Sequence, residues 1–174
     1  MRGMSLSSLP RFVFLLALSA LAACNAAPEP PRAATAAEPS MYRSLATAGA
    51  SVDPAAARDM ISLYRRNSGL GALTLDESLQ RVAEAQARDM AQRGDLAARG
   101  ELGDRLASAG VQTPAAVENV SAGYRTLAEA FSGWRDSAPN NARMLDTRVK
   151  RMGIATAYAP GAKYKVYWAL VLAD

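Results

Sequence analysis

The sequence predicts an α+β protein in which helices cover both faces of a small, mainly antiparallel sheet, so that the domain has three α-β-α layers. Two segments in the first half of the chain, residues 54–67 and 75–93, repeat apolar residues at helical spacing. The last segment, residues 163–173, is apolar on both faces near its end, which is typical of a central strand covered by helices. Pro160-Gly161 joins it to a second strand-like run, residues 151–159.

The start of the chain has the features of a secretory signal peptide. Arg2 and Arg11 precede an apolar run, residues 12–23, that is too short to span a bilayer as a mature helix. The run ends in Leu21-Ala22-Ala23-Cys24, which resembles the bacterial lipobox, where the signal is cut before the cysteine and lipid is attached to it. We therefore expect residues 1–23 to be removed.

Cys24 is the only cysteine of the chain, and we expect it to carry a lipid anchor that rules out a disulfide. The alternative is an ordinary signal peptide followed by an incidental thiol. The anchored chain would lie in a bacterial cell envelope and face the periplasm. Because Asn25 is not the aspartate that retains some lipoproteins in the inner membrane, the outer membrane is favoured.

Residues 24–52 are rich in Ala and Pro, which predicts a disordered tether between the anchor and the folded domain, residues 53–174. Whether residues 41–45 dock on the domain is left open. The chain has a net charge of +4, and removal of the signal leaves 18 basic and 16 acidic residues, a net charge of +2. That charge does not favour a nucleic-acid partner, so we expect envelope components as partners.

The elements of the domain follow from local signals. Asp53-Pro54 begins the first helix, which ends at Asn67, and Thr74-Leu75-Asp76-Glu77 fits a capping box for a second helix that Gly94 ends. Residues 102–109 can form one or two helical turns, and residues 115–120 read as a short strand. A second capping box, Thr126-Leu127-Ala128-Glu129, opens another helix, and Asn140-Asn141 indicates a turn.

Glu118 lies inside the predicted apolar strand, where its carboxylate has to be compensated. A buried carboxylate costs several kcal/mol unless it is paired or hydrogen-bonded. It therefore either binds backbone N–H groups or an arginine, which would join strand to helix, or faces a cleft. Asn119 is expected to cap a local turn, and the spacing of Trp134 and Trp168 is typical of core aromatics.

In their order and spacing, these segments resemble the CAP superfamily of cysteine-rich secretory proteins, antigen 5 and plant pathogenesis-related proteins of group 1, in its bacterial form. The resemblance implies an α-β-α sandwich, in agreement with the fold predicted from the residues. It covers residues 53–174 and rests on Tyr64-Arg65-Arg66, Gly69-Leu70, Leu73-Thr74-Leu75-Asp76, Ala87-Arg88-Asp89-Met90-Ala91, Gly94, Gly103-Asp104-Arg105-Leu106, Val117-Glu118-Asn119-Val120, residues 134–145 and Met152-Gly153-Ile154-Ala155.

The resemblance also implies a central cleft, which in many CAP domains carries two acids and two histidines that bind a divalent metal. One acid position matches Glu118 and the other falls near Asp104, whereas the histidine positions fall at Ala98 and Asn140. The chain has no histidine. This excludes a histidine-dependent triad, a Cys-His dyad and a Cys/His zinc site. We therefore expect no metal and no cofactor.

Three functions remain open. The favoured one is a non-catalytic module whose cleft, with Glu118, Asp104 and Asn140, binds a lipid, a sterol-like molecule or a cell-wall ligand. The second is a hydrolase of peptidoglycan or envelope glycans that uses Glu118 and Asp104 as its acid and base. The third is an envelope scaffold, for which the expected sign is a cleft filled by the protein's own side chains. The sequence does not determine the oligomeric state.

Overall fold

The structure of the chain, a computed structural model, describes residues 37–174. The predicted signal peptide, Cys24 and the tether up to residue 36 lie outside the described residues. The described part contains a 3-10 turn at Ser40–Tyr42, five helices and four strands. The helices are α1 (Pro54–Asn67), α2 (Glu77–Arg93), α3 (Leu102–Ser108), α4 (Leu127–Asp136) and α5 (Ala138–Met144), and the strands are β1 (Thr74–Leu75), β2 (Ala116–Ala122), β3 (Arg151–Tyr158) and β4 (Val166–Ala173).

The four strands form one sheet in the order β1-β3-β4-β2. β4 runs antiparallel to both β3 and β2, whereas the short β1 runs parallel to β3. Every residue of β4 is buried, as expected for the central strand. One face of the sheet packs on α1, α4 and α5, and the other packs on α2 and α3. The predicted three-layer α-β-α architecture is confirmed.

The helix α2 lies unusually close to β3 at Gly153. A Cβ atom built on this glycine would come within 2.2 Å of the backbone of Leu79, so no larger residue fits without movement of the helix. Beside it, the side chain of Gln80 donates to the carbonyl of Ile154 (2.9 Å) and accepts from its N–H group (3.1 Å). Gln80 thus satisfies the edge of β3 beyond the point where the two-residue strand β1 ends.

The two tryptophans lie in the core between the sheet and α4. Trp134 and Trp168 are 1% and 0% exposed, and their rings meet edge to face with centroids 6.1 Å apart. Each indole N–H has a partner, since Trp134 donates to the hydroxyl of Ser121 and Trp168 to the carbonyl of Tyr124. The prediction that both are core aromatics is confirmed.

The folded unit begins earlier than the predicted boundary at Asp53. Leu45 and Val52 are buried in the core on the α1 and α4 face, and the N–H of Leu45 donates to the carbonyl of Arg125 at 2.7 Å. Residues 45–52 are therefore part of the domain and not of a disordered tether. The composition of this segment obscured the boundary, because two apolar anchors are enough to dock a stretch that is otherwise rich in small residues.

Two local predictions need correction. Thr74 does not cap α2, because Thr74 and Leu75 form β1, and the cap is Asp76, whose carboxylate accepts from the N–H groups of Ser78 and Leu79. Asn140 and Asn141 do not form a turn but lie in α5, which has Pro139 in its first turn. The second capping box, with Thr126 and Glu129, is confirmed.

Arg65 is a charged residue inside the domain, with 2% of its surface exposed. Its guanidinium donates to four carbonyl oxygens, those of Gly71 (3.0 Å), Met144 (2.7 Å), Asp146 (2.9 Å) and Val149 (3.1 Å). The planar guanidinium presents donors in several directions, so one side chain satisfies the carbonyls of two separate loops. Arg65 therefore connects α1 to the loop that leads from α5 into β3.

We expect Arg65→Met to lower the free energy of unfolding by about 3 kcal/mol or more, because buried carbonyls would lose their donor. Urea unfolding of the soluble chain, residues 25–174, measures the effect. The matched control is Arg66→Met at the exposed neighbouring position, which should change the free energy by no more than about 0.5 kcal/mol. Equal effects of the two substitutions would contradict the role assigned to Arg65.

Candidate functional site

Glu118 forms an ion pair with Arg105 of α3. The guanidinium Nη1 lies 2.9 Å from Oε1 of Glu118 and Nη2 lies 2.8 Å from Oε2, so each carboxylate oxygen accepts one hydrogen bond. Only 18% of the Arg105 side chain and 12% of the Glu118 side chain are exposed. Of the two interpretations open for Glu118, the structure supports pairing with an arginine that joins strand to helix.

The alternation of β2 determines where this pair lies. Glu118 lies opposite Val171 of β4 and points to the face that α2 and α3 cover, together with Val120. Asn119 is the next residue and points to the other face, where it is 1% exposed and its amide donates to the backbone carbonyl of Asn140 at 3.0 Å. Asn119 therefore links β2 to α5 and does not cap a turn within its own loop.

A third polar side chain, Gln86 of α2, completes the cluster. Its Oε1 atom accepts a hydrogen bond from Nη1 of Arg105 at 3.1 Å, and the residue is 3% exposed. Its Nε2 atom and the Nε atom of Arg105 are buried and have no partner among the described residues. Most buried polar atoms in proteins are hydrogen-bonded, so these two donors are exceptions within the cluster.

A groove of about 420 Å³ opens between α2 and α3 above this cluster. Val82 and Ala85 of α2 and Ala109 after α3 form its apolar part, and Gln86 and Arg105 also line it. Arg81, Asp89, Arg99 and Asp104 add charges of both signs. The groove is thus largely apolar with mixed charges around it, a combination typical of small-molecule sites.

The structure does not bring the three predicted cleft residues together. Asp104 is exposed and lines the groove, next in sequence to the arginine that binds Glu118. Asn140 lies in α5 on the other side of the sheet, where its side-chain oxygen accepts from Arg143 at 3.0 Å. The groove and the Glu118 ion pair therefore share one face, and Asn140 belongs to the opposite layer.

Asp89 is the remaining acid of the groove, and it is also paired. Arg93 donates to its carboxylate at 2.7 Å, and Arg99 lies 3.2 Å from its other oxygen. The hydrogen bond from Arg93 is the main reason that the pKa of Asp89 lies below its usual value. Asp89 is therefore ionised near neutral pH and is not suited to act as a general acid.

The residues at the cluster do not fit a divalent cation. Both oxygens of Glu118 bind a guanidinium, which carries a positive charge where a cation would have to approach. Within residues 37–174 no group of three His, Cys, Asp or Glu side chains is arranged to hold a metal ion.

The same range contains no helix that is both long and apolar enough to cross a bilayer.

Sequence reasoning found Glu118 and missed Gln86 and the pairing role of Arg105. Gln86 falls on the apolar stripe of α2, where a polar residue with helical spacing was a signal of a buried polar contact. Arg105 is next to Asp104 in sequence, and no local pattern identifies it as the partner of Glu118. The partner 13 positions later became apparent only once the structure placed α3 against β2.

A double-mutant cycle tests the ion pair. We expect Arg105→Met to lower the free energy of unfolding by about 2–4 kcal/mol, because it leaves the carboxylate of Glu118 buried without a counter-charge. Adding Glu118→Leu should recover at least about 1 kcal/mol of that loss, and urea unfolding measures all three variants.

The exposed pair Arg135–Asp136 serves as the control, since 46% and 67% of these side chains are exposed. The coupling energy of that pair should stay below about 0.5 kcal/mol. If the coupling between Arg105 and Glu118 is equally small, the two side chains do not bind each other in solution as described.

Comparison with solved structures supports the fold. The chain matches an extracellular protein containing an SCP domain from Bacillus anthracis with 23% identity, a TM-score of 0.59 and coverage of 70% of this chain and 40% of that chain. A cysteine-rich secretory protein from Staphylococcus aureus matches with 17% identity, a TM-score of 0.59 and coverage of 69% and 37%. An outer surface protein from Borrelia burgdorferi matches with 16% identity, a TM-score of 0.59 and coverage of 72% and 98%.

Sequence comparison points to the same group. The uncharacterized protein YkwD from Bacillus subtilis is 24% identical over 100 residues, which is 55% of this chain and 39% of that protein. The chain thus spans about two fifths of the length of this relative. Residues 58–172 match the family model described as CAP, the cysteine-rich secretory protein family. This match covers most of the chain, which therefore belongs to the CAP family.

Proposed function

We propose that this chain is a lipid-anchored protein of the bacterial cell envelope whose CAP domain is a non-catalytic binding module. Its ligand would be a lipid, a sterol-like molecule or a cell-wall fragment held in the groove between α2 and α3. One observation carries the proposal. Both oxygens of Glu118 bind Arg105, while the groove next to them is open.

The ion pair argues against the hydrolase alternative. A glycosidase of this type needs one carboxyl group that donates a proton and a second that acts as base or nucleophile. Glu118 binds a guanidinium through both oxygens, and Asp89 is ionised and paired with Arg93. Asp104 is left as the one groove acid without a side-chain partner among the described residues, and a single carboxylate does not supply both roles.

The groove also differs from what a pure scaffold would require. Arg105 occupies the space in front of the Glu118 carboxylate, but a groove of about 420 Å³ remains open beside it. The polar residues that line the groove, among them Gln86 and Arg105, suit a ligand that carries a hydrogen-bonding group. The apolar lining from Val82, Ala85 and Ala109 suits a ligand with an apolar body.

The location in the envelope is supported from two sides. The lipobox-like sequence before Cys24 supports a lipid anchor and the periplasmic side of the outer membrane. The names of two structural neighbours, an extracellular protein and an outer surface protein, support an extracellular or surface location for this family member.

A capture experiment tests the binding function. The soluble chain, residues 25–174, is incubated separately with delipidated cell wall and with an envelope lipid extract, and both the solution and the re-isolated protein are analysed by mass spectrometry. We expect an intact ligand to be retained and no new soluble fragments. Ala85→Trp should abolish retention because the indole would fill the groove, whereas Gln92→Trp, on the same helix but outside the groove, should not.

Fragments released from the cell wall would instead indicate a hydrolase. The deciding variant is then Glu118→Gln, which keeps an oxygen that accepts from Arg105 but removes the ionisable carboxyl group. Release by the wild type that this variant abolishes would overturn the binding module, provided that the two proteins unfold at the same urea concentration.

A separate experiment tests the anchor. Cells that express the full chain are grown with an alkyne-labelled fatty acid, and acylation is read from the labelled protein band. We expect the wild type to be labelled and Cys24→Ala to lose the label completely, because Cys24 is the only thiol. Equal labelling of the two chains, or no labelling of the wild type, would contradict the anchor.

A further inference from the structure

A second apolar groove lies on the opposite side of the domain from the α2 and α3 groove. It encloses about 560 Å³ between the 3-10 turn, α1 and α4. Its apolar lining includes Met41, Tyr42, Met60, Leu63 and Phe131. We call these five residues the N-terminal patch. The binding function proposed above makes no use of this patch.

The N-terminal patch contains the two most exposed large apolar side chains in the described part of the chain. Tyr42 is 56% exposed and Leu63 is 54% exposed. The other two exposed side chains of this kind, Leu75 (41%) and Leu96 (37%), line neither groove. Single exposed apolar residues are ordinary, but a cluster around a groove indicates a contact surface.

We propose that the N-terminal patch rests on the surface of an anionic phospholipid bilayer, the membrane that holds the Cys24 anchor. The proposal rests on that anchor for its geometry. Only 12 residues, 25–36, lie between Cys24 and residue 37, where the described chain begins. Whatever its conformation, such a segment reaches at most about 45 Å.

This reach is short in comparison with the domain, which at this chain length is roughly 35–40 Å across. An anchored domain is therefore always within about one diameter of the bilayer. Met41 and Tyr42 follow residue 37 by only a few positions, so the patch lies at the point where the chain arrives from the anchor. The apolar surface that is closest in sequence to the anchor thus carries the two most exposed large apolar side chains of the described residues.

The chemistry of the patch suits the lipid headgroup region. Tyrosine combines an apolar ring with a hydroxyl group, and it is enriched where membranes meet water. Leu63 and the groove behind it provide apolar surface that can enter the boundary between headgroups and acyl chains.

The charges around the patch favour anionic lipid. Arg43 follows Tyr42 in sequence, and the backbone carbonyl of Arg125 accepts a hydrogen bond from the N–H of Leu45, which places the backbone of both arginines near the patch. Both side chains are exposed, and within residues 37–174 neither has a carboxylate within 4 Å.

Three of the four acids near the patch are already compensated, namely Asp53, Asp59 and Glu129. Asp53 accepts from the N–H groups at the start of α1, and Glu129 accepts from those of Arg125 and Thr126 at the start of α4. Asp59, which lines the groove, pairs with Arg58 at 2.6 Å. Each of these three negative charges thus has a positive partner or a helix N-terminus, whereas Glu38 is exposed and has no side-chain partner among residues 37–174. Arg43 and Arg125 remain available for phosphate groups.

Depth-dependent fluorescence quenching tests the contact. The full chain is acylated in cells, purified and placed in vesicles of phosphatidylethanolamine and phosphatidylglycerol that contain a lipid with a quencher on its acyl chain. Because the thiol of Cys24 is consumed by the lipid, Tyr42→Cys and Leu63→Cys each provide one site for a polarity-sensitive dye. Leu96→Cys, on the α2 and α3 side, is the matched control.

We expect quenching at positions 42 and 63 to exceed quenching at position 96 about threefold, because a surface-bound apolar face enters the membrane by several ångströms. Combining each patch label with Arg43→Ser and Arg125→Ser should lower that excess, as should vesicles of neutral phosphatidylcholine. Equal, weak quenching at all three positions would overturn the proposal. So would protection of the patch labels by a second copy, seen as a homodimer without lipid quenching.

Failure of the anchor remains distinguishable from failure of the surface contact. If Cys24 carries no lipid, the fatty-acid label reveals it, and the lipid-anchored part of the proposed function is overturned. The same dye positions are then placed in a Cys24→Ser chain that is added to the vesicles from outside. Preferential quenching at positions 42 and 63 would still support the membrane contact, and its absence would overturn it.

Discussion

The close contact between α2 and β3 at Gly153 is the constraint on which the rest of the domain depends. With no Cβ atom at this position, the helix backbone reaches the sheet directly, and Gln80 replaces the strand that β1 is too short to supply. This contact fixes the position of α2 over the sheet. Gln86 lies less than two turns further along the same helix, so its position over the sheet depends on the same contact.

The Glu118 cluster shows how a buried carboxylate is compensated inside the domain. A buried carboxylate must be compensated, and a metal ion or a cationic side chain does so in different ways. In this chain a guanidinium takes that position and binds both carboxylate oxygens. The cluster then has a fixed charge balance that does not depend on metal supply. The groove beside the cluster has apolar walls, and the two buried donors without a partner among the described residues lie in the cluster next to it.

Much of the fold could be predicted from the sequence because its signals are local. The start of α1 at Asp53-Pro54, the capping box at Thr126 and the buried central strand β4 each follow from spacing or from residue type. Where the prediction failed, two local signals competed. Thr74 and Asp76 are both good capping residues, and only the pairing of Thr74 with Arg151 assigns the first to a strand.

The candidate site was less predictable, because its contacts join residues that are distant in sequence. No sequence pattern near Glu118 identifies Arg105 as its partner. The prediction that Asn140 lines the cleft rests on its match to a family position and not on the residues around it. The alternation of β2 separates Glu118 from Asn119 and hence from α5. This separation became visible only when the layers were known.

The position of β4 in the sheet has a consequence for the order of folding. It is the last strand in the described chain, yet β2 and β3 both pair with it and not with each other. Before β4 is synthesised, β2 and β3 have no antiparallel neighbour. The two core clusters, one on each face of the sheet, also lack the residues that β4 contributes to both. A chain that leaves a ribosome N-terminus first would therefore stay without its sheet until β4 has emerged. Pairing of β4 is therefore the step that joins the two halves of the core into one domain.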